Sequence, residues 1–155
     1  MTRTRQQAHF KLALEQITEL KNRPQTEQQQ KINRAYGGLC HKLPFLVRND
    51  GLCQAIAWVE EKSHADPPTP LSRAYLLLRA HIAQLLGVAP AGQDGLLAHV
   101  QGADVTVYMR DTREILDAWV YYKRFASSVL NVSPGVDLSD LDAVAAEPVA
   151  TEAAP

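Results

Sequence analysis

Apolar positions recur along this chain at intervals of three and four, with no sustained alternation, so the pattern predicts helices and no strands. Phe10, Ala13, Leu14, Ile17 and Leu20 form a first stripe, which Asn22 to Pro24 ends. Thr26-x-x-Gln29 has the form of a capping box and opens a second helix with Ile32, Ala35, Tyr36, Leu39, Cys40 and Leu43 on its buried face. Pro44 is expected to stop that helix, because proline supplies no amide and disfavours helix in the residue before it. A third helix then starts after Asn49 or Asp50, either able to cap it, and buries Leu52, Ala55, Ile56 and Val59.

Asp66-Pro67-Pro68-Thr69-Pro70 reads as a linker that ends in an N-cap, Thr69, followed by a proline in the first turn. Leu71, Tyr75, Leu78, Ile82 and Leu85 make the fourth stripe, closed by Gly87 to Gly92. A short helix is expected over 94–100. The last long helix runs to Leu130 from either Asp104 or Thr112, and Asp111-x-x-Glu114 either caps it or lies within it. Its buried face is Ile115, Ala118, Trp119, Tyr122, Ala126 and Val129. Leu116, Val120 and Tyr121 fall off that face beside Arg113, Lys123 and Arg124, which fits either a protein interface or packing beneath the N-terminal helix or a loop. The fold class is therefore all-α, a compact single-domain bundle of about five to six helices. Residues 1–132 form the domain. Residues 133–155, rich in Ala, Pro and acid with no aromatic, form a disordered acidic tail.

Composition adds three points. With 155 residues the chain buries enough surface to need no metal or disulfide staple. No apolar run approaches the ~20 residues of a membrane span, and the polar, basic stretch Met1 to Lys11 is unlike a signal peptide. A cytoplasmic location with Cys40 and Cys53 reduced is the expectation. The net charge of −1 hides an asymmetry: residues 134–155 hold five acids and no base, so residues 1–133 carry about +4. Residues 1–62 hold 10 bases against 6 acids, a mild pointer to a polyanionic partner.

The candidate chemistry is binding rather than catalysis. Cys40, His41, Cys53 and His64 lack the short paired spacings of a zinc site and read as two buried thiols and two surface imidazoles. Cys-His nucleophilic catalysis is disfavoured, because adjacent residues on a helix point about 100° apart. No phosphate-binding glycine loop or nucleophile elbow is present. On the second helix, Lys31, Arg34, His41 and Lys42 fall opposite the buried stripe, with Gly37 and Gly38 between them. Two glycines inside a helix cost about 1 kcal/mol each relative to alanine. They mark either a close approach by a phosphate backbone or a partner's main chain, or a kink. Arg48 and Asn49 are expected to project from the loop that follows, and Lys62 from the end of the third helix.

Two motifs carry a family resemblance. One is Lys42-Leu43-Pro44-Phe45-Leu46-Val47-Arg48-Asn49-Asp50-Gly51-Leu52, with Tyr36 upstream and Trp58 and Lys62 downstream. The other is Thr112, Glu114, Ile115, Trp119, Lys123, Arg124, Phe125 and Ala126 on the late helix. Together they resemble the small subunit of the type III-B CRISPR effector, the Cmr complex, over about residues 5 to 130. Trp58 departs from the family, which more often has a smaller aromatic there, and the acidic tail lies outside its pattern.

The resemblance implies a small all-helical protein with no catalytic activity and no cofactor. It implies that several copies stack along the crRNA-bearing backbone subunits, near the large subunit, and help to hold target RNA in antiviral defence. Lys42, Arg48, Asn49, Lys62, Lys123 and Arg124 are the matched positions for sequence-independent phosphate contacts, since base pairing to the guide reads the sequence. Arg34 and Lys31 extend that set on the second helix. Two alternatives stand beside this one. One is a protein-only adaptor that never touches nucleic acid; the other is a small helical enzyme using Cys40, His41 or Cys53.

Overall fold

The computed structural model describes residues 3–88 and 95–142, and among these every regular element is helical. Thr4 opens α1 (Arg5–Asn22) through a reciprocal capping box with Gln7. Thr26 caps α2 (Glu27–Asp50) by accepting from the Gln29 amide, but the Gln29 side chain donates to Asn33 instead of returning to the cap. Thr69 and Ser72 form the box that starts α4 (Pro70–Leu86), with Pro70 in the first turn as expected, and Gly87 ends it in the left-handed region at φ 69°. Asp104 caps α6 (Val105–Ser128), so Asp111 and Glu114 lie inside that helix. The short α5 (Gly95–Gly102) falls where a helix is expected; residue 94 is outside the described residues.

The expectation that Pro44 ends α2 is wrong. The helix runs six residues further, to Asp50, with proline inside it. An interior proline removes one backbone hydrogen bond and costs about 3 kcal/mol. Here Leu43, Pro44 and Val47 are all buried, and that apolar contact offsets the loss. The stop comes at Gly51, whose φ of 86° no other residue adopts easily. Arg48 and Asn49 therefore belong to the last turn of α2, not to a loop. Neither Asn49 nor Asp50 caps α3 (Leu52–Ser63): Gly51 occupies the cap position without a side-chain bond. The hydroxyl of Tyr108, from α6, accepts from the Cys53 amide at 3.1 Å and satisfies one of the donors left open there.

α2 sits at the centre, with α4, α6 and α3 packed against it and α1 laid across α6. Trp119, Tyr36, Tyr122, Ile56 and Leu78 are fully enclosed. Leu14 on α1 is only half-buried and Phe10 is 47% exposed, while His9 and Gln16 take buried positions on that helix. Polar groups inside the core are paired across helices. The Tyr36 hydroxyl meets His81 Nδ1, and the Tyr122 hydroxyl donates to Gln16, which donates to Gln84. Burial pushes the His81 imidazole down to about 4, so near neutral pH it is an uncharged acceptor for Tyr36.

The chain does not leave the body at residue 133. Val132 and Leu141 are buried, and the 3₁₀ turn Ser139–Asp142 rests on α4 and α2. The packed domain thus extends to Asp142, and the tail expected to be disordered is reduced to residues 143–155, which lie outside the described residues.

Candidate nucleic-acid interface

The eight basic or polar positions singled out by sequence separate into three places. The first is a cleft between the C-terminal turns of α2 and the second half of α6, lined by Pro44, Arg48, Leu116, Val120, Lys123 and Arg124. Its geometry follows from the uninterrupted α2: had the helix stopped at Pro44, Arg48 would not project alongside α6. All three cations are exposed. Among the described residues none of them pairs with a carboxylate, and neither does Lys42 or Lys62, while eight arginine or lysine pairs form elsewhere. Arg48 also occupies the last turn of its helix, the end at which the backbone dipole favours a cation. Asn49 is exposed one residue further on, outside the cleft lining.

Lys42 and Lys62 lie elsewhere. They line a second cleft with Trp58, Leu71 and Tyr75, whose remaining wall is the C-terminal segment Val136 to Ser139 with Asp142. Trp58 and Tyr75 meet edge to face with ring centroids 4.9 Å apart. Arg34, two turns before Lys42 on α2 and in the lining of a different cleft with Asn33 and Val132, faces Asp140 of the same segment at 3.6 Å. Asp137 accepts from the Ser139 amide, and that bond, with the Arg34 charge as a lesser cause, lowers its carboxyl below the usual range. Lys31 belongs to neither cleft and pairs along its own helix with Glu27 at 3.5 Å.

The glycine pair has an internal explanation. A Cβ at Gly37 would lie 2.5 Å from Val132 Cγ2, and one at Gly38 would lie 2.8 Å from Val136 Cγ1 and 3.0 Å from Leu138. What packs closely on α2 is therefore side chains of the chain's own C-terminal segment, and the helix continues without interruption through both glycines. Sequence reasoning missed this segment because the apolar residues Val132, Val136, Leu138 and Leu141 follow no helical period and sit among Pro, Gly and Asp.

The cysteine and histidine positions are dispersed. Cys40 is enclosed in the core, where burial pushes its thiol up, whereas Cys53 is exposed, against the expectation of two buried thiols. His41 is half-buried, and its Nε2 holds the Val132 carbonyl at 2.9 Å. No group of metal-binding side chains forms among the described residues, and no helix among them is long and apolar enough to cross a membrane.

The off-stripe apolar residues of α6 divide between the two alternatives. Tyr121 packs edge-on beneath Phe10 of α1, as does Phe125. Val120, 47% exposed, lies on one side of α6 with exposed Met109 and Val105 and partly buried Leu116, and Phe45 stands exposed on α2.

Comparison with known proteins places the chain in a family. The family model described as "CRISPR-associated protein (Cas_Cmr5)" matches residues 5–129. The CRISPR system Cmr subunit Cmr5 of Thermus thermophilus is 34% identical over 95 residues, which is 61% of this chain and 75% of that protein. A crystal structure of a CRISPR-associated Cmr5 family protein, also from Thermus thermophilus, superposes with a TM-score of 0.64 at 30% identity, covering 84% of this chain and all (100%) of that one. Both motifs, Lys42 to Leu52 and Thr112 to Ala126, lie inside the matched span, and the fold they imply is the fold observed. On these grounds the chain belongs to the Cmr5 family of CRISPR-associated proteins.

Proposed function

We propose that this chain is a non-catalytic subunit of a type III-B Cmr ribonucleoprotein that contacts the phosphates of target RNA through the α2–α6 cleft. Membership of the Cmr5 family carries the coarser statement, a Cmr subunit serving CRISPR defence. The finer reading rests on one observation: Arg48, Lys123 and Arg124 converge on one open cleft, exposed and without carboxylate partners among the described residues. Arginine and lysine on a shallow apolar floor suit phosphate contact without base reading. We assign no catalytic role to Cys40 or His41, whose side chains serve packing and the Val132 carbonyl.

The exposed apolar residues Val105, Met109 and Val120 support a second role for the same helix, contact with neighbouring copies or with the backbone and large subunits. They also support the protein-only adaptor as the competing reading. The two separate on salt. Binding of a labelled single-stranded RNA of about 20 nucleotides is measured by fluorescence anisotropy across a salt series, with the wild-type chain and with Arg48, Lys123 and Arg124 replaced together by alanine. RNA contact predicts a salt slope flatter by about two units in the variant, at ~0.7 per lost phosphate contact. An unchanged slope, with loss of co-assembly instead, is the adaptor's signature.

A further inference from the structure

The second cleft holds what the first lacks, an occupant. Residues 132–142 run across α2 as a strap with two kinds of contact. Its apolar side, Val136, Leu138 and Leu141, is seated over Gly38 and against the core. Its acidic side places Asp140 at Arg34, and Asp137 and Asp142 in the cleft that Lys42 and Lys62 line. Asp142 also accepts from the Thr69 hydroxyl, which ties the end of the strap to the start of α4. Beneath lies Trp58, half-buried and edge-on to Tyr75. An aromatic surface flanked by cations is the chemistry that single-stranded nucleic acid uses, bases against rings and phosphates against ammonium groups.

We infer that the strap Val136–Asp142 is a built-in competitor of RNA: its Asp140 pairs with Arg34, its Asp137 and Asp142 share the cleft of Lys42 and Lys62, and single-stranded RNA displaces it from these cations. The inference rests on the RNA-binding reading of the first cleft and adds a second segment of the same track, open only when the strap lifts. It explains why the basic positions of one helix divide so unevenly, with Arg48 bare and Arg34 engaged. The seat itself favours a reversible contact. Only Leu141 of the segment 136–142 is fully buried, and the acidic residues are exposed, so the ion contacts that hold the strap are screened by solvent and weak.

The test uses the full chain. Asp137, Asp140 and Asp142 are replaced together by asparagine, which keeps the shape and leaves Val136, Leu138 and Leu141 in place. Thermal melting checks that the fold is kept. A labelled single-stranded RNA is titrated at low salt and across a salt series. The neutralised chain is expected to bind roughly tenfold more tightly, with a slope steeper by about two units for three new phosphate contacts. Replacing Arg34, Lys42 and Lys62 by alanine in that background is expected to remove the gain. In the wild type, added RNA is expected to speed hydrogen exchange of the 136–141 amides.

Equal affinity and slope for wild type and neutralised chain, with binding still lost on removing Arg48, Lys123 and Arg124, would overturn the strap and leave the first cleft standing. A gain that survives the Arg34, Lys42 and Lys62 replacements would overturn it too, as a bulk effect of net charge. A gain in affinity for a Cmr partner protein without one for RNA overturns it in favour of a protein occupant. No binding of RNA by any variant removes both readings together.

Discussion

The two clefts differ in what surrounds their cations, not in the cations themselves. Arg48 and Lys42 sit six residues apart on one helix. Arg48 looks across to two further cations on α6 in a lining that holds no acid, while Lys42 shares its cleft with two aspartates of the strap. Like charges held together without partners repel one another and cost stability, roughly 0.3–0.5 kcal/mol per close exposed pair. Lys42 and Lys62 likewise form no ion pair among the described residues, so the clefts differ in that aspartates of the strap line one and no acid lines the other. On the proposed reading, the α2–α6 cleft takes phosphate as it stands, and the Lys42–Lys62 cleft takes it only when the strap lifts.

What the clefts share is α2, so the largest effect is one that breaks both at once. His81 supports α2 from behind through Tyr36, and burial holds its pKa at about 4 against an ordinary 6.5. A depressed histidine means that the unfolded chain takes up the proton first. Stability is full above pH 6.5 and is lost as pH falls to about 4, by roughly 3 kcal/mol. Glu114 adds to this at the acid end. Partial burial pushes its carboxyl up, but the hydrogen bonds from His9 and Arg5 outweigh that and set it below the ordinary 4.5. Its contribution is present above 4.5 and is lost as pH falls through the lowered folded value. Urea unfolding at about pH 7 and about pH 4.5 is expected to show the loss, and RNA binding should fail only where folding does, since no lysine or arginine titrates there. A His81→Gln chain that keeps the full acid sensitivity between pH 6.5 and 4 would assign it elsewhere.

Next in size, breaking one cleft alone, is the joint replacement of Arg48, Lys123 and Arg124 by alanine. Affinity for single-stranded RNA at about 50 mM salt should fall by around two orders of magnitude, with stability unchanged or slightly raised by the relieved repulsion. A loss of similar size from replacing Lys42 and Lys62 in the otherwise native chain would erase the difference between the clefts.

The strap is loosened next by Gly37→Ala. The added Cβ would lie 2.6 Å from Val132 Cβ, which is too close for a branched side chain to evade by rotation. Overpacking of this kind costs about 1–3 kcal/mol, against about 1 kcal/mol regained from helix propensity. A net loss of roughly 1 kcal/mol in urea unfolding is expected. Stabilisation instead would mean that Val132 yields freely and that the seat is loose.

The helix stripes of α2, α4 and α6 were legible in the sequence because each buried face repeats within its own element, and Tyr36, Leu78 and Trp119 announce themselves by spacing alone. What stayed hidden depends on partners far along the chain. His9 and Gln16 are buried because Glu114 and Tyr122 meet them, and Asp111 because His99 does, at 2.7 Å. No local period encodes such pairs. Pro44 misled for a related reason: its local cost is real, but the burial that offsets it is tertiary. The candidate site was half legible. Residue type picked out the cations, while their division into an open and a covered group depended on the strap, whose sequence reads as a tail.

Lys31 gives the smallest effect and the sharpest control. By residue type it belongs with Arg34 and Lys42, and by position it belongs with neither cleft. Its ammonium lies 3.5 Å from Glu27, one turn earlier on the same helix and with 84% of its side chain exposed. A pair of this kind contributes about 0.3–0.5 kcal/mol at most. Lys31→Ala should therefore leave RNA affinity within about twofold of wild type, and its salt slope unchanged. Because Lys31→Ala removes the same unit of charge as Lys42→Ala, the two compared in the strap-neutralised chain separate position from net charge. A slope that falls by ~0.7 for Lys42 and not for Lys31 places phosphate in the cleft. Equal changes at both would mean that RNA senses only the overall charge of α2, and the distinction between a bare and a covered cleft would lose its functional meaning.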